Sequence, residues 1–234
     1  MTIVLRRPVS RRTMSRRLAA ALLSAALLAP LPAAVSTARA ATPVAAPAAL
    51  SAQDRATVAQ VEEYLNGIST LQSKFVQVAP NGRQATGTFY LFRPGRMRLE
   101  YDKPLKDFIV ADGTFVFYWD GEMRQQSSAP IGSTLADFIL RKTIRLAGDV
   151  TVTEVFRAPG VVEVSLVETK DPGKGTLTLV FEDHPFQLRK WRVLDAQGLT
   201  TEVALLNPRT DVTFDHDMFY FKEPPRGSDF GRNN

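Results

Sequence analysis

The sequence contains no cysteine, and that absence removes several chemistries at once. Disulfides, thiol catalysis and cysteine-held zinc are excluded. So is the lipid-modified cysteine of a bacterial lipoprotein, and the exported product is therefore expected to be soluble. Histidine is nearly absent, with only His184 and His216. His184 precedes Pro185 in a turn and reads as solvated surface. Asp215-His216-Asp217 has ligand residue types, but three adjacent side chains splay apart and lack ligand spacing. A solvated loop is the simpler reading there, and no metal is expected. There is no G-x-S-x-G, no H-E-x-x-H, no phosphate loop and no dinucleotide fingerprint. None of the 24 acidic residues stands in a context that marks a glycosidase pair. No catalytic residue and no cofactor are expected, which leaves binding as the function class.

Basic charge looks abundant, but it is concentrated in one place. Residues 1–40 hold seven arginines and no acidic residue, so the remainder has 22 basic against 24 acidic residues, a net charge of −2. The net +5 of the whole chain belongs to that leader, and a nucleic-acid partner is not expected. Six of the arginines precede an apolar run from Leu18 to Ala34, and Ala38-Arg39-Ala40 has the form of a cleavage site. Pro30 and Pro32 interrupt the run, which is short for a membrane span. Residues 1–40 therefore read as a signal peptide to the periplasm. Translation from Met1 or Met14 and export by the general or the twin-arginine route all stay open.

Residues 41–50 are an Ala/Pro-rich spacer. From Ser51 the pattern becomes helical, with Ser51 as N-cap, Asp54 in the first turn and Val58, Val61, Leu65 and Ile68 at helical spacing. Gly67 marks its exit. Strands dominate afterwards, over 71–79, 84–93, 96–102, 106–112, 114–119, 122–127, 150–157, 161–169, 176–182, 187–195 and 199–207. Turn pairs such as Asn81-Gly82, Asp112-Gly113 and Pro159-Gly160 separate most of them. Such a series predicts one strongly curled antiparallel sheet in a single domain over 51–234. A second amphipathic helix is expected over 133–145, capped by Ser133 or Thr134, with Leu135, Phe138 and Ile139 on its apolar face. A short helical turn is expected within 208–219.

The central stretch is Gly87 to Tyr101. Pro94-Gly95 is expected to form a type II turn between two strands. After it Met97, Leu99 and Tyr101 point one way, and Arg96, Arg98 and Glu100 point to water. Before it Phe89, Tyr90, Leu91 and Phe92 put large groups on both faces. Phe108 to Ala111 and Phe115 to Trp119 form a second hairpin apolar on both faces, including Val110 and Phe117. Such strands need cover on each side. One reading is ordinary core under the helices; the other is an apolar cavity on the concave face, lined from these strands and closed by the second helix. Phe156, Val164, Leu166, Leu179, Phe181 and Trp191 are further wall or core candidates.

Several blocks in order carry a resemblance. After the first helix come Leu71-Gln72-Ser73-Lys74-Phe75-Val76-Gln77 and Gly87-Thr88-Phe89. Phe92-Arg93-Pro94-Gly95-Arg96-Met97-Arg98 follows, then Val110-Ala111-Asp112-Gly113 before aromatics. Asp211-Val212, Phe219-Tyr220-Phe221 and Pro224-Pro225 complete the series. The chain resembles the periplasmic lipoprotein carrier family LolA over nearly all of the region after the leader. The resemblance implies an α+β, mainly β fold, an incompletely closed antiparallel barrel of about eleven strands with a lid of short helices. It implies a monomeric, non-enzymatic carrier of acylated lipoproteins, loaded by an inner-membrane ABC release complex and unloaded at the outer membrane. An outer-membrane receptor stays open, because the tail after Pro225 is short and polar. Arg93 stands where the family has an arginine that bonds lid backbone in the closed state; from the residues alone it is a solvated arginine beside a turn. Met97 replaces the family's usual aromatic. A carrier of free lipids or glycolipids in the same fold, or a lipoprotein sensor with an added domain, is the alternative.

Cleavage after Ala40 is directly testable. N-terminal sequencing of the periplasmic protein is expected to begin at Ala41, and recovery of the intact chain from membranes would refute it.

Overall fold

A computed structural model describes residues 50–133 and 136–225. The expected signal peptide, nearly all of the spacer, Leu135 and the tail from 226 lie outside the described residues. Helix α1 spans Ala52–Gly67 and begins at a capping box. The Ser51 hydroxyl accepts from the Asp54 amide at 3.0 Å while the Asp54 carboxylate accepts from the Ser51 amide at 3.2 Å, satisfying two donors a helix start would otherwise leave free. Thr57, Val61 and Leu65 are its buried stripe.

Two antiparallel meanders follow. The first is β1 (Thr70–Val78), β2 (Gln84–Phe92), β3 (Arg96–Tyr101), β4 (Phe108–Asp112), β5 (Phe115–Asp120) and β6 (Gln125–Pro130). The second is β7 (Val150–Ala158), β8 (Val161–Glu168), β9 (Gly175–Asp183), β10 (Phe186–Asp195) and β11 (Thr200–Thr210). The two are sealed by β1 against β11, from Leu71↔Thr210 to Val78↔Glu202, with a bulge between Gln72 and Lys74. The resulting single sheet has the order β6-β5-β4-β3-β2-β1-β11-β10-β9-β8-β7. Strands β6 and β7 stay at its edges, so the barrel is incompletely closed. Polar residues and a terminal proline blunt the β6 edge.

The Arg93–Pro94 peptide is cis, and Gly95 takes the expected positive φ, +81°. Two local expectations change. Strand β6 begins later than expected, because the Asp120 carboxylate accepts the Glu122 and Met123 amides at 3.0 and 2.7 Å and prolongs the turn. Helix α2 covers only Ala136–Leu140. A helix continued to residue 144 would join the Ile144 amide to the Leu140 carbonyl. Instead the Leu140 carbonyl accepts from Gly95 at 2.8 Å, and the Ile144 amide donates to Asn66 Oδ1 at 2.8 Å. With both partners engaged elsewhere, the helix does not run on through 144.

The double-faced strands are covered twice, the second time by the chain's own end. After β11 the chain crosses the face opposite α1 and makes a 3₁₀ turn at His216–Phe219. Phe219 is fully buried with its ring 5.6 Å from Phe92, and Phe214 stands 5.9 Å from Tyr90. Phe221 lies 5.8 Å from Phe108, 5.2 Å from Phe117 and 6.2 Å from Trp119. The face expected to be wet on β3 is thus partly covered: Arg98 stacks 4.8 Å over Phe108 and donates to the Met218 carbonyl at 3.1 Å. Phe156, a wall candidate, is 49% exposed instead.

Phe219→Ala is expected to cost about 3–5 kcal/mol, as deletion of a fully buried phenylalanine does. Urea unfolding reads this as a lowered midpoint with an unchanged slope.

Candidate functional site

Pairing across antiparallel strands puts directly opposed residues on one face. Leu91↔Met97, Phe89↔Leu99, Met97↔Ala111 and Leu99↔Ile109 therefore belong to one surface. That surface forms one buried cluster with Val61, Leu65 and Ile68 from α1 and its exit, and with Phe138 and Leu140 of α2. Tyr101 and Ile139 pack at its margin as partly buried residues. The second meander contributes Val164, Leu166, Leu179, Phe181 and Leu205. Phe89 meets Trp191 at 5.6 Å, and Tyr64 of α1 meets Phe181 edge-on at 5.6 Å, so the helix spans both meanders.

Of the candidate lining residues, Phe89, Leu91, Met97, Leu99 and Phe138 come together here. Phe108, Val110, Trp119 and Phe117 do not; they form a separate cluster under Phe221 on the opposite face. The residues of those strands that face the helices are Ile109, Ala111, Val116 and Tyr118, one position out of step. A one-residue change of register swaps every side chain between faces. The connection Asp102 to Asp107 hides that register in the sequence. Leu135 lies outside the described residues.

Polar groups hold the helices over this surface. Arg93 is 9% exposed. Its Nε donates to the Ile68 carbonyl at 2.8 Å, and its Nη2 donates to the Leu65 and Ile68 carbonyls. These are carbonyls at the end of α1, where positive charge also suits the helix dipole. Burial pushes the guanidinium pKa down from its ordinary value, but such a group remains charged. The solvated reading of Arg93 does not hold.

A second grip was not anticipated. The Asn66 side-chain amide donates to the Ile144 carbonyl at 2.9 Å and accepts from the Ile144 amide, imitating a strand pair. Glu62 Oε1 accepts from the Leu146 amide at 2.6 Å. Glu62 and Asn66 are four apart and share a helix face, a spacing visible in the sequence, though their partner was not. At the other end of α1, Arg157 of β7 reaches Asp54 at 2.8 Å and Thr57 at 2.7 Å. The cap bonds from Ser51, then Arg157, hold the Asp54 carboxyl below its usual range.

The arrangement is an apolar surface under a helical cover. Among the described residues no three His, Asp or Glu side chains group as metal ligands. Asp215 caps the 3₁₀ turn through the Asp217 amide at 2.9 Å, and the His216 ring lies 4.8 Å from Phe92. His184 is an exposed neighbour of Asp183 at 3.2 Å.

The model of the family "Outer membrane lipoprotein carrier protein LolA" matches residues 66–222. An outer-membrane lipoprotein carrier protein of Methylococcus capsulatus is 28% identical over 73% of this chain and 85% of its own length. That of Dechloromonas aromatica is 29% identical over 74% of this chain and 86% of its own. A solved LolA superfamily protein of Nitrosomonas europaea superposes with a TM-score of 0.41 at 9% identity, covering 70% of this chain and 97% of that one.

Asn66→Ala removes both bonds to Ile144. At about 1 kcal/mol per bond, amide exchange at Ile144 is expected to quicken roughly ten- to thirty-fold. Exchange at Val110, on the far face, should not change.

Proposed function

The chain belongs to the outer membrane lipoprotein carrier protein LolA family, and from that premise we propose that residues 51–234 carry acylated lipoproteins across the periplasm. The observation that carries the reading is the apolar surface shared by both meanders and covered by α1 and α2. Cargo acyl chains take the place of the helices on that surface, and no covalent bond is made or broken. Loading occurs at an inner-membrane ABC release complex and unloading at the outer membrane.

The energetics favour a carrier of this form. Each methylene gains about 0.8 kcal/mol on burial, so an acyl chain does not leave a membrane unaided. A carrier must offset that loss without becoming a trap. Helices that close on the empty surface compete with the cargo for the same area and drive its release. Arg93 acts as the latch of the empty, closed form, with Phe138 and Ile139 in the lid and Phe89, Leu91, Met97 and Leu99 beneath it. Leu135, the third lid residue, belongs to the same proposal. Phe108, Val110, Phe117 and Trp119 are left out of it because they face Phe221.

Arg93→Leu removes the bonds to the end of α1 and adds apolar area at the mouth, and both changes favour the loaded state. The variant is expected to take up lipoprotein from inner-membrane vesicles as well as the wild type, with delivery to outer membranes reduced at least tenfold. The two steps are scored separately. Equal delivery by the two proteins would remove Arg93 from the mechanism, and failure of the wild type to take up any acylated cargo would overturn the carrier reading.

A further inference from the structure

The helix-covered face has two ends of unlike chemistry. Strand register places the start of β1, the end of β2 and the start of β3 at one end, beside Arg93, the end of α1 and Leu140. This is the end the helices cover. At the opposite end, where β1 and β3 finish, the rows Leu91–Phe89 and Met97–Leu99 give way to hydrogen-bonded polar side chains. The Tyr101 hydroxyl donates to Gln77 Oε1 at 2.8 Å, and the Tyr118 hydroxyl donates to Asp107 Oδ2 at 3.2 Å. Asp107 Oδ1 accepts from the Gly121 amide at 2.9 Å, which ties this group to the turn after β5.

The group is firmly built. Gln77 is 3% exposed, and the Phe75 ring stands edge-on to Tyr101 at 5.4 Å. Phe75 lies against Gly87, where a Cβ would come within 2.6 Å of the ring, so the glycine is what lets the ring lie there. Burial and the Asp107 charge raise both tyrosine pKa values, so the hydroxyls stay protonated and keep donating.

We propose that Phe75, Gln77, Tyr101 and Tyr118, with Asp107, form the floor of the acyl-chain site and set the longest chain the carrier accommodates fully. The proposal rests on the carrier reading. A chain entering from the helix end passes along apolar rows and gains from each methylene. To go further it must part Tyr101 from Gln77 or Tyr118 from Asp107. That would break a hydrogen bond to the buried Gln77 side chain or to the half-buried Asp107 carboxylate and leave the parted tyrosine hydroxyl against hydrocarbon, which costs more than a methylene returns. Chains therefore stop at the floor, and additional methylenes remain outside.

The test uses a homologous series of synthetic diacylglyceryl-cysteine peptides that differ only in acyl length, in competition for the carrier. Wild-type affinity is expected to rise about fourfold per methylene, the equivalent of about 0.8 kcal/mol, and then to level off. Tyr101→Val and, separately, Tyr118→Val open the floor and should move the plateau to longer chains; two variants guard against one failing to fold. Tyr101→Phe keeps the ring but loses the bond to Gln77, and should move the plateau less than Tyr101→Val does. Asn66→Ala, which acts at the cover, should shift all lengths in parallel. A plateau that stays in place in both valine variants, or a wild-type affinity that climbs without levelling, overturns the floor alone. No binding at any length would instead overturn the carrier reading.

Discussion

A helix that ends inside a protein leaves its last carbonyls without intrahelical partners, and α1 ends in this way. Arg93 meets the requirement by sending one guanidinium to the carbonyls of Leu65 and Ile68. Much of the molecule is arranged around that contact. The Arg93 amide itself donates to the Ser69 carbonyl at 2.8 Å, which fixes the entry into β1, and two residues later the Gly95 amide donates to the Leu140 carbonyl at the end of α2. One turn between two strands thus positions both helices. Gly95 is also hemmed in by Gly113, whose Cα would stand 2.9 Å from an added Cβ, so this turn and the β4–β5 turn pack on each other's glycines.

The second constraint is that β2, β4 and β5 are apolar on both faces. Antiparallel sheets usually leave one face to water. Here the protein covers one face with α1 and α2 and the other with its C-terminal aromatics, Phe214, Phe219 and Phe221. The two covers differ in kind. The C-terminal cover is aromatic stacking, supported by Arg98. The helical cover is held at its margins by discrete polar bonds, from Arg93, Asn66, Glu62 and Arg157. Bonds of that sort exchange readily with water once a helix lifts, whereas a buried aromatic cluster gains nothing by opening. The proposed carrier opens on the helix side. Arg93 Nη1 is buried without a partner among the described residues.

Much of the architecture was legible in the residues themselves. Turn pairs with glycine and proline marked the strand limits, so about eleven strands were expected and eleven are present among the described residues. Ser51 and Asp54 announced α1, because a capping box is a contact between near neighbours in the chain. The blocks around Arg93-Pro94-Gly95 and Asp112-Gly113 pointed to the family whose model matches residues 66–222.

What stayed hidden depended on partners distant in sequence. Alternation in β4 and β5 separates Ile109 and Ala111 from Phe108 and Val110, but both sets are apolar, so composition cannot say which meets the helices. The pairing Leu99↔Ile109 decides it. Helix α2 does not continue through 144 because Gly95 and Asn66 occupy the Leu140 carbonyl and the Ile144 amide, and no local signal in 133–145 records them. Arg93 reads as solvated until α1 ends beside it. The sequence by itself thus determined strands, turns, the first helix and the family, all governed by local geometry and side-chain alternation. Tertiary structure decided which apolar face became the site and which polar side chains hold its cover, because hydrogen bonds and burial are settled between residues that only folding brings together.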